Sequence, residues 1–473
     1  MLIVIYYHVI QSISKLQNMN ILVLDVYPKK TYRISKDQNG AYGTANNYGK
    51  GFFCKVLSNL VKNSIDFPAL YAVQTCGELV NSGHNVNYSK ELDLKIEYDL
   101  YILPSSIVCH ETEIEYLKIL KNNNKIAIVI GPFATSNPET YLQTGGIVVK
   151  GEPEMFFHKF NKSITDLKEL PKVIENFPIV DLDKLSFPGW EVIFKNYTPK
   201  MKFLGSGPAI NINASRGCPY SCFYYCVYPL QQGRKVRFKS PKRLFEEMKH
   251  FNQVLKVSNF IFRDPVFSIN RKHTEEVCKE IIESKYKFNI CIETHLKNID
   301  ESLAKLLKKA GVKLMYVGIE SSDENVRKNS NRISENNFSQ EKKISYLESI
   351  GIKVKAMYIV GMPTDTIETF KKTIEFAKKI KSSYAQFSVF TPYPGTPIFK
   401  EYQEKIITKK YENFTQWQLI FEHPNFKPDD ISNLLNYSYK QYYFNINWIF
   451  KFLVNKIKGI YEDLYIRIFG FSR

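Results

Sequence analysis

Apolar residues in the first third of the chain occur in short runs of strand length, separated by stretches with helical spacing. The runs lie at 21–26, 85–88, 98–103, 125–130 and 146–149. Between the third and fourth runs, Ile114, Leu117 and Leu120 recur at the spacing of one helical face. Strands that alternate with helices predict a parallel sheet covered on both faces, and we place this α/β domain at residues 19–160.

A second series of strand patterns follows, at 209–213, 259–263, 288–293, 313–319, 353–360 and 384–390. Helix signals separate them. Ser240 precedes a proline at the first helical position, and Asp300 can cap a helix that stops at Gly311. Six strand–helix units in series predict a partial barrel over residues 208–400. The active site of such a barrel lies at the carboxyl ends of its strands.

The remaining regions lack this repeat. Residues 161–207 contain four prolines and no sustained periodicity, which predicts a linker. Residues 401–473 are rich in aromatic and basic residues, and we interpret them as a helical cap that packs on the barrel. A basic helix lying on a membrane surface is the alternative. Because Met19 opens the first strand pattern, we interpret residues 1–18 as an extension that is flexible or not native.

The composition adds limits to this picture. The chain has 473 residues, 44% of them hydrophobic, which is enough for two or three domains with sizeable cores. Its net charge of +18 suits nucleic acid, a membrane surface or an anionic substrate. Because the lysines are spread along the predicted helices, we attribute the charge to overall composition and expect no nucleic-acid partner. No apolar run reaches the about 18 residues needed to span a bilayer, so we expect no integral membrane segment.

Three of the eight cysteines fall within nine residues, at Cys218, Cys222 and Cys226. The scatter of the other five argues against a disulfide framework and favours a reducing cytoplasm. Three thiolates on one loop can hold three corners of an iron–sulfur cube, whereas a complete protein-bound cluster takes four. The next cysteine downstream is Cys278, so one iron would be left for a small molecule. A structural zinc site is the alternative, but zinc normally takes four ligands from paired clusters, and no second pair occurs.

The run from Arg216 to Cys226 resembles the cluster loop of radical S-adenosylmethionine (SAM) enzymes, with C-x3-C-x3-C in place of their C-x3-C-x2-C. Further short motifs occur in the order typical of the cobalamin-linked class. Those of the barrel lie at 317–321, 358–366 and 391–396, and those resembling a B12-binding domain lie at 82–86, 131–132 and 151–154. The resemblance covers nearly the whole chain from about residue 20. It implies a Rossmann-like B12-binding-type domain, then a partial (β/α)6 radical SAM barrel, then a helical C-terminal extension.

The resemblance also assigns roles to residues. It implies that Cys218, Cys222 and Cys226 ligate a [4Fe-4S] cluster whose open iron binds SAM. The residues implied to lie around SAM or the corrinoid are Tyr225, Asp264, Glu320, Ser321, Ile359, Gly131 and Gly151. Among these, Tyr225 and Ile359 would contact the adenine, Asp264 the amino group, and Glu320 and Ser321 the ribose.

Cobalamin is the third implied cofactor. B12 proteins that take a histidine as the axial ligand carry D-x-H-x-x-G after the first strand, and here that position reads from Asp25 to Lys29 without a histidine. Many relatives bind the corrinoid without this ligand. The resemblance therefore implies a corrinoid that receives no histidine from the protein.

The implied reaction is reductive cleavage of SAM, which gives a 5′-deoxyadenosyl radical that removes hydrogen from an unactivated carbon of a small molecule. With cobalamin, it implies methyl transfer, or else cyclisation or rearrangement. An electron donor such as flavodoxin or ferredoxin is the implied partner.

Two other hypotheses about the function stay open. One is an RNA methylthiotransferase that uses Cys54, Cys76 and Cys109 for a second cluster, and the other is a non-catalytic module that binds a cluster or a corrinoid.

Overall fold

The computed structural model describes residues 18–30, 32–62, 65–158, 160, 167–175, 178–201, 204–205, 207–444, 448 and 450. The interpretation of residues 1–18 as an extension therefore lies outside the described residues, except for Asn18. The strands are β1 Asn20–Leu24, β2 Arg33–Ser35, β3 Thr44–Asn46, β4 Ile65–Asp66, β5 Asn85–Ser89, β6 Leu100–Pro104, β7 Ala127–Ile130, β8 Ile147–Lys150, β9 Val173–Glu175, β10 Lys200–Met201, β11 Ala209–Ile212, β12 Ser215–Arg216, β13 Arg237–Phe238, β14 Asn259–Phe262, β15 Asn289–Thr294, β16 Val312–Glu320, β17 Lys353–Val360 and β18 Tyr384–Val389.

The helices lie between these strands and after them. They are α1 Phe52–Val61, α2 Leu70–Asn81, α3 His110–Asn122, α4 Pro132–Ser136, α5 Glu139–Gln143, α6 Glu154–His158, α7 Trp190–Phe194, α8 Tyr228–Gln232, α9 Pro241–Leu255, α10 Arg271–Glu283, α11 Glu301–Lys309, α12 Glu324–Asn329, α13 Asn337–Ser349, α14 Ile367–Ile380, α15 Pro397–Tyr402 and α16 Pro428–Tyr443. Within the part of the chain that the structure describes, no helix combines the length and the apolar character needed to cross a bilayer.

The first sheet is parallel and has the strand order β5-β1-β6-β7-β8-β9. The order reverses at β1, which pairs with β5 on one side and with β6 on the other. Each predicted strand of this domain is present, shifted by one or two residues. The sheet also takes up β9 from the segment predicted to be a linker, and Trp190 of α7 in the same segment is fully buried. Short elements of three to five residues leave too little periodicity to be recognised in the sequence.

The second sheet is parallel, and its six strands follow in chain order as β11-β14-β15-β16-β17-β18. This confirms the predicted partial barrel. The predicted helix starts are also confirmed, since Ser240 accepts a hydrogen bond from the Arg243 amide and Asp300 accepts one from the Leu303 amide.

The two faces of β17 differ in a way that defines the barrel interior. One face is fully buried and consists of Val354, Ala356, Tyr358 and Val360. On this face Tyr358 stacks on Phe387, which contacts α14. The alternate residues of β17, which point to the other face, all remain partly accessible. That accessible face is the lumen of the partial barrel.

A hairpin of the first domain lies against the barrel. Strands β2 and β3 pair antiparallel, and the segment between them contacts the second domain. The Tyr42 hydroxyl donates to the Pro394 carbonyl at 2.5 Å, and the Thr44 hydroxyl donates to the Thr415 carbonyl at 2.7 Å. The sequence analysis did not predict this hairpin, because its strands are only three residues long and its loop is polar.

Helix α16 covers the edge of the barrel sheet with tyrosine hydroxyl groups. Tyr439 accepts from the Phe387 amide at 3.1 Å and donates to the Phe387 carbonyl at 2.6 Å, and Tyr443 makes the same pair of bonds to Ala385. Exposed edges invite pairing with other chains, and these hydroxyls take the place of a seventh strand. The predicted packing of the C-terminal region on the barrel agrees with this contact, while residues 451–473 lie outside the described part.

We expect Tyr439→Phe to destabilise the protein by about 1–3 kcal/mol, because the amide and carbonyl of Phe387 lose their buried partner. Denaturant unfolding followed by circular dichroism measures the change. Tyr437→Phe is the matched control, since its side chain is exposed on the same helix. Equal unfolding midpoints for the two variants would show that the hydroxyl does not support the sheet edge.

Candidate active site

The three clustered cysteines lie on a loop that leaves the first barrel strand, β11, at its carboxyl end. Strands β12 and β13 pair at the base of the loop, and the Cys218 amide donates to the Gly233 carbonyl at 3.2 Å. Gly217 has a φ of 92°, and a Cβ there would lie 2.2 Å from the Lys235 carbonyl oxygen. Only glycine fits this close approach, so the sequence Gly-Cys sets the path into the loop.

Asp264, just after β14, binds the residues that lead into this loop, Ala214 and Ser215, which we call its stem. Its carboxylate accepts from the Ala214 amide at 3.0 Å and from both the amide and the hydroxyl of Ser215. Burial raises the pKa of Asp264 to about 6, against the effect of these hydrogen bonds. The structure thus places Asp264 beneath the cysteine loop, with both oxygens bonded to its stem. The sequence analysis had expected it near a bound SAM.

The cysteine thiols lie close enough to influence one another. The Cys226 amide donates to the Cys222 carbonyl at 2.8 Å, which forms a tight turn between them. A hydrogen bond from Cys226 and the Arg332 guanidinium together lower the pKa of Cys222 to about 7, against the effect of burial. Burial raises the pKa of Cys218. A metal ligand must be a thiolate, and Cys222 is the thiol of this loop that ionises near neutral pH.

Among the described residues, no three His, Cys, Asp or Glu side chains converge on one point as ligands of a single metal ion. Zinc requires its ligands around one centre, whereas in a [4Fe-4S] cube each thiolate binds a different iron.

Arg332 connects the cysteine loop to the fourth barrel strand. Its guanidinium lies 3.4 Å from the Glu320 carboxylate and donates to the Gly318 carbonyl at 2.9 Å, in addition to its contact with Cys222. Burial and the Glu320 carboxylate raise the pKa of Tyr225, so its phenol lies close to Glu320, Arg332 and the cysteines. The structure therefore brings Tyr225 and Glu320 together beside the cysteines, and their expected contacts with SAM remain a prediction.

The backbone at Glu320 explains how its side chain reaches this position. The register between β16 and β17 shifts by one residue after Gly318, and Glu320 has a φ of 68°. A bulge of this kind redirects a side chain at the end of a strand. A positive φ at a non-glycine residue is uncommon, and such residues occur at functional sites.

Two other predicted residues lie in different surroundings. The Ser321 hydroxyl faces Thr373 of α14 at 3.3 Å and accepts from the Asp323 amide, so it supports the turn after β16 and does not face the cysteines. Ile359 lies on the lumen face of β17, opposite Ser388 of β18. Apolar contact with a ligand in the lumen is therefore available to Ile359.

The glycines of the first domain lie at the carboxyl ends of its strands. A Cβ at Gly131 would lie 2.4 Å from the Tyr71 hydroxyl oxygen, so glycine allows this close contact. The Gly151 amide donates to the Thr135 hydroxyl at 3.1 Å, and the Gly151 carbonyl accepts from the side-chain amide of Gln231 on α8 at 3.4 Å. Gly151 is therefore part of the contact between the two domains.

The residues after Gly151 bind the cysteine loop directly. Arg216, two residues before Cys218, pairs with Glu154 at 2.8 Å and with Glu152 at 3.5 Å. Glu152 also pairs with Arg237 of β13 at 2.7 Å. All four side chains are buried, so carboxylates of the first domain fix the base of the loop.

A small cavity of about 40 Å³ lies where the carboxyl edges of the two sheets meet. Its lining includes Asp37, Glu154, Asn213, Tyr228 and Arg263. One oxygen each of Asp37, Glu154 and Asn213 is buried and has no hydrogen-bond partner within the described ranges. A buried acceptor without a partner is costly, and such atoms commonly bind a ligand or water.

The cysteines of the first domain have the character of core residues. Burial raises the pKa of Cys54 and of Cys76 to about 12, and it raises the pKa of Cys109 further. All three thiols are buried in the core of the first domain.

Comparison with known proteins places this geometry in a family. A model of the Radical SAM superfamily matches residues 212–377. An uncharacterized methyltransferase of Pyrococcus horikoshii is 27% identical over 69% of this chain and 74% of that protein. The anaerobic magnesium-protoporphyrin IX monomethyl ester cyclase of Rubrivivax gelatinosus is 28% identical over 57% of this chain and 48% of that protein. The radical SAM methyltransferase TsrM of Kitasatospora setae has a TM-score of 0.62 and 14% identity over 89% of each chain.

Residues 212–377 carry a domain of the Radical SAM superfamily. The match to the family model runs from the end of β11 into α14 and includes the whole cysteine loop. The likeness to TsrM extends the shared fold to both domains. This radical SAM enzyme spans about half the length of the Rubrivivax cyclase.

The cysteine loop of this enzyme fits a [4Fe-4S] cluster. Cys218, Cys222 and Cys226 are the residues that would hold it, and the lowered pKa of Cys222 favours the thiolate form that binds iron.

Arg332 is the residue of the site that the sequence analysis missed. It lies in a polar loop twelve residues after Glu320, and no local pattern distinguishes it from a surface arginine.

In the cluster-free protein we expect alkylation of Cys222 by iodoacetamide to follow a midpoint near pH 7, because only the thiolate reacts. Arg332→Gln removes the neighbouring positive charge, so the midpoint moves to higher pH. Mass spectrometry of the loop peptide measures the profile. The control is Arg234→Gln, because Arg234 acts on Cys218 from an exposed position. A Cys222 profile unchanged in Arg332→Gln would refute the contact.

Proposed function

We propose that this enzyme cleaves SAM reductively at a [4Fe-4S] cluster on Cys218, Cys222 and Cys226, and that it uses cobalamin to methylate an unactivated carbon of a small molecule. The main support is the group of Cys222, Arg332, Glu320 and Tyr225 at one rim of the barrel. A bound cluster supplies the electron that breaks a carbon–sulfur bond of SAM.

The residues around the loop would position SAM and exclude water. Glu320 offers a carboxylate next to the cysteines, suited to the hydroxyl groups of a ribose. Tyr225 packs its ring 5.6 Å from Phe390, which leaves an aromatic surface for an adenine. The hairpin β2–β3 covers the barrel on the side of the first domain, and a closed site protects a radical from solvent.

The chemistry of the unpaired oxygens between the domains supports cobalamin. A corrin ring carries amide side chains around its rim, and amide N–H groups can donate to the unpaired oxygens of Asp37, Glu154 and Asn213. Cobalamin supplies a carrier for a methyl group. A structure of TsrM contains both cobalamin and a [4Fe-4S] cluster, and that chain has a TM-score of 0.58 and 15% identity with this one.

The first domain offers no histidine at the usual ligand position. Asp25 instead accepts from the hydroxyls of Tyr27 and Tyr88 and lies 3.1 Å from the Lys36 ammonium. We propose that the corrinoid binds without a histidine from this motif. The relationship to the Rubrivivax cyclase supports cyclisation or rearrangement as the second candidate reaction.

Reduction requires an electron donor, and we propose a flavodoxin or ferredoxin. Every cysteine of the chain is free, and thiolate ligands require a reducing environment, which supports a cytoplasmic location.

The first test is the product analysis of SAM. We expect the protein, expressed anaerobically with cobalamin, reconstituted with iron and sulfide and reduced, to form 5′-deoxyadenosine. Alanine at Cys218, Cys222 or Cys226 should abolish the product, whereas alanine at Cys278 should leave it unchanged, because Cys278 is a buried core thiol. Mass spectrometry measures the products. S-adenosylhomocysteine formed only with cobalamin indicates methyl transfer, and its absence beside 5′-deoxyadenosine favours rearrangement. Failure to assemble a cluster would refute the proposal.

A second test concerns SAM binding. Glu320→Gln should weaken SAM binding about tenfold or more, because a hydrogen bond to a charged group contributes about 1.5–3 kcal/mol. Equilibrium dialysis against the reconstituted protein measures the dissociation constant. Glu324→Gln is the control, since Glu324 lies nearby on α12 with an exposed side chain. Equal affinities in the two variants would place Glu320 outside the SAM site.

A further inference from the structure

One layer of the barrel lumen carries charged and polar side chains. In the register of the sheet, Glu293 of β15 lies opposite Tyr316 of β16, which lies opposite Lys355 of β17. Partners in register point to the same face, which here is the lumen. Arg263 joins this layer from the end of β14, with its guanidinium 3.0 Å from the Glu293 carboxylate.

The first domain adds two more charges to the same layer. Asp37, in the loop of the hairpin β2–β3, pairs with Arg263. Arg33 of β2 donates to Ser35 through Nε at 2.7 Å, and its side chain influences the pKa of both Tyr316 and Lys355. Both hairpin residues are buried. The layer is therefore complete only when the two domains are joined.

Lys355 is the group in this layer that lacks a counterion. Its ammonium lies over the Tyr316 ring, 4.8 Å from the ring centroid, and no carboxylate within the described ranges approaches it closely enough for an ion pair. Burial, together with Arg33 and Arg263, lowers the pKa of Lys355 to about 8, against the opposite effect of Glu293 and Cys291. A desolvated cation held beside a second cation is unfavourable unless an anion joins them.

Arg33 shares this deficit. Its Nη2 is buried and has no hydrogen-bond partner among the described residues. The layer contains three cations, Arg33, Arg263 and Lys355, and two carboxylates, Asp37 and Glu293. Because both carboxylates bind Arg263, the remaining positive charge belongs to Arg33 and Lys355.

The layer is connected to the cavity between the domains. Arg263 and Asp37 both line that cavity and also belong to the layer. Along β17, Lys355 lies four residues before Ile359, which corresponds to about 13 Å at 3.3 Å per residue. A molecule that reaches from the cysteine rim into the lumen can therefore place one end beside Lys355.

We propose that Lys355 and Arg33 bind an anionic group of the substrate, a carboxylate or a phosphate, in the barrel lumen. This inference rests on the proposed function for its connection to catalysis. It predicts a substrate whose reacting carbon lies near the cysteine rim and whose anionic end lies about 13 Å away along β17. The Tyr316 hydroxyl lies in the same layer and is available as a neutral donor.

Competitive acylation with acetic anhydride tests the site on the reconstituted protein. The neutral amine of Lys355 reacts, and an anion beside it stabilises the charged form, so acetate or sulfate should slow its labelling. A rise of one pKa unit corresponds to about a tenfold slower reaction below pH 8, where the neutral amine is the minor form. Acetate represents a carboxylate and sulfate represents a phosphate, and neither changes charge in this range. Cys291 and Tyr316 stay neutral there, because burial raises the pKa of Cys291 to about 12 and that of Tyr316 well above its usual value.

Lys353 is the internal control, since it lies two residues away on the same face of β17. We expect protection of Lys355 but not of Lys353, and we expect Arg33→Gln to lose the protection while keeping the circular dichroism spectrum. Equal slowing of both lysines, or no slowing by either anion, would overturn the proposal. Formation of 5′-deoxyadenosine is measured on the same sample. SAM cleavage without protection refutes the lumen site alone, and protection without cleavage refutes the proposed function alone.

Discussion

The pairing of Arg216 with Glu152 and Glu154 is the contact on which the rest of the site depends. Burying three charged groups is unfavourable unless each is closely paired, and here each carboxylate receives a guanidinium. Loss of one partner would leave a buried charge unpaired. Since Arg216 lies two residues before Cys218, this constraint couples the first domain to the position of the cysteines.

The same constraint explains where the cavity lies. In both sheets the strands end at the contact between the domains, so loops from both meet there. Asp264 fixes the loop stem from the barrel side, and the two glutamates fix it from the first domain. Oxygens of Asp37, Glu154 and Asn213 that lack a hydrogen-bond partner among the described residues line the cavity there. A ligand in the cavity would thus contact both domains and stabilise their contact.

Charge in the interior follows a similar arrangement. Arg332 stands beside Cys222 at the rim, and Lys355 and Arg33 stand in the lumen below. Positive groups at both places suit a site that must hold thiolates at one end and an anion at the other. The net positive charge of the chain reflects its lysine-rich composition and does not by itself locate these few residues.

The sequence by itself determined the order and nature of the main elements. Short apolar runs that alternate with helical spacing predicted the two parallel sheets, and the three cysteines on one loop predicted the kind of metal site. The sequence also assigned Tyr225 and Glu320 to the SAM expected at that loop, because each lies within a recognisable motif. Only the tertiary structure revealed Arg332, the hairpin β2–β3 and the partners of Arg216. These features depend on contacts between residues distant in the chain, and a single charged residue in a polar loop gives no periodic signal. The tertiary structure also showed that Ser321 and Glu320, although adjacent in the chain, face different neighbours, because the bulge at the end of β16 turns their side chains apart.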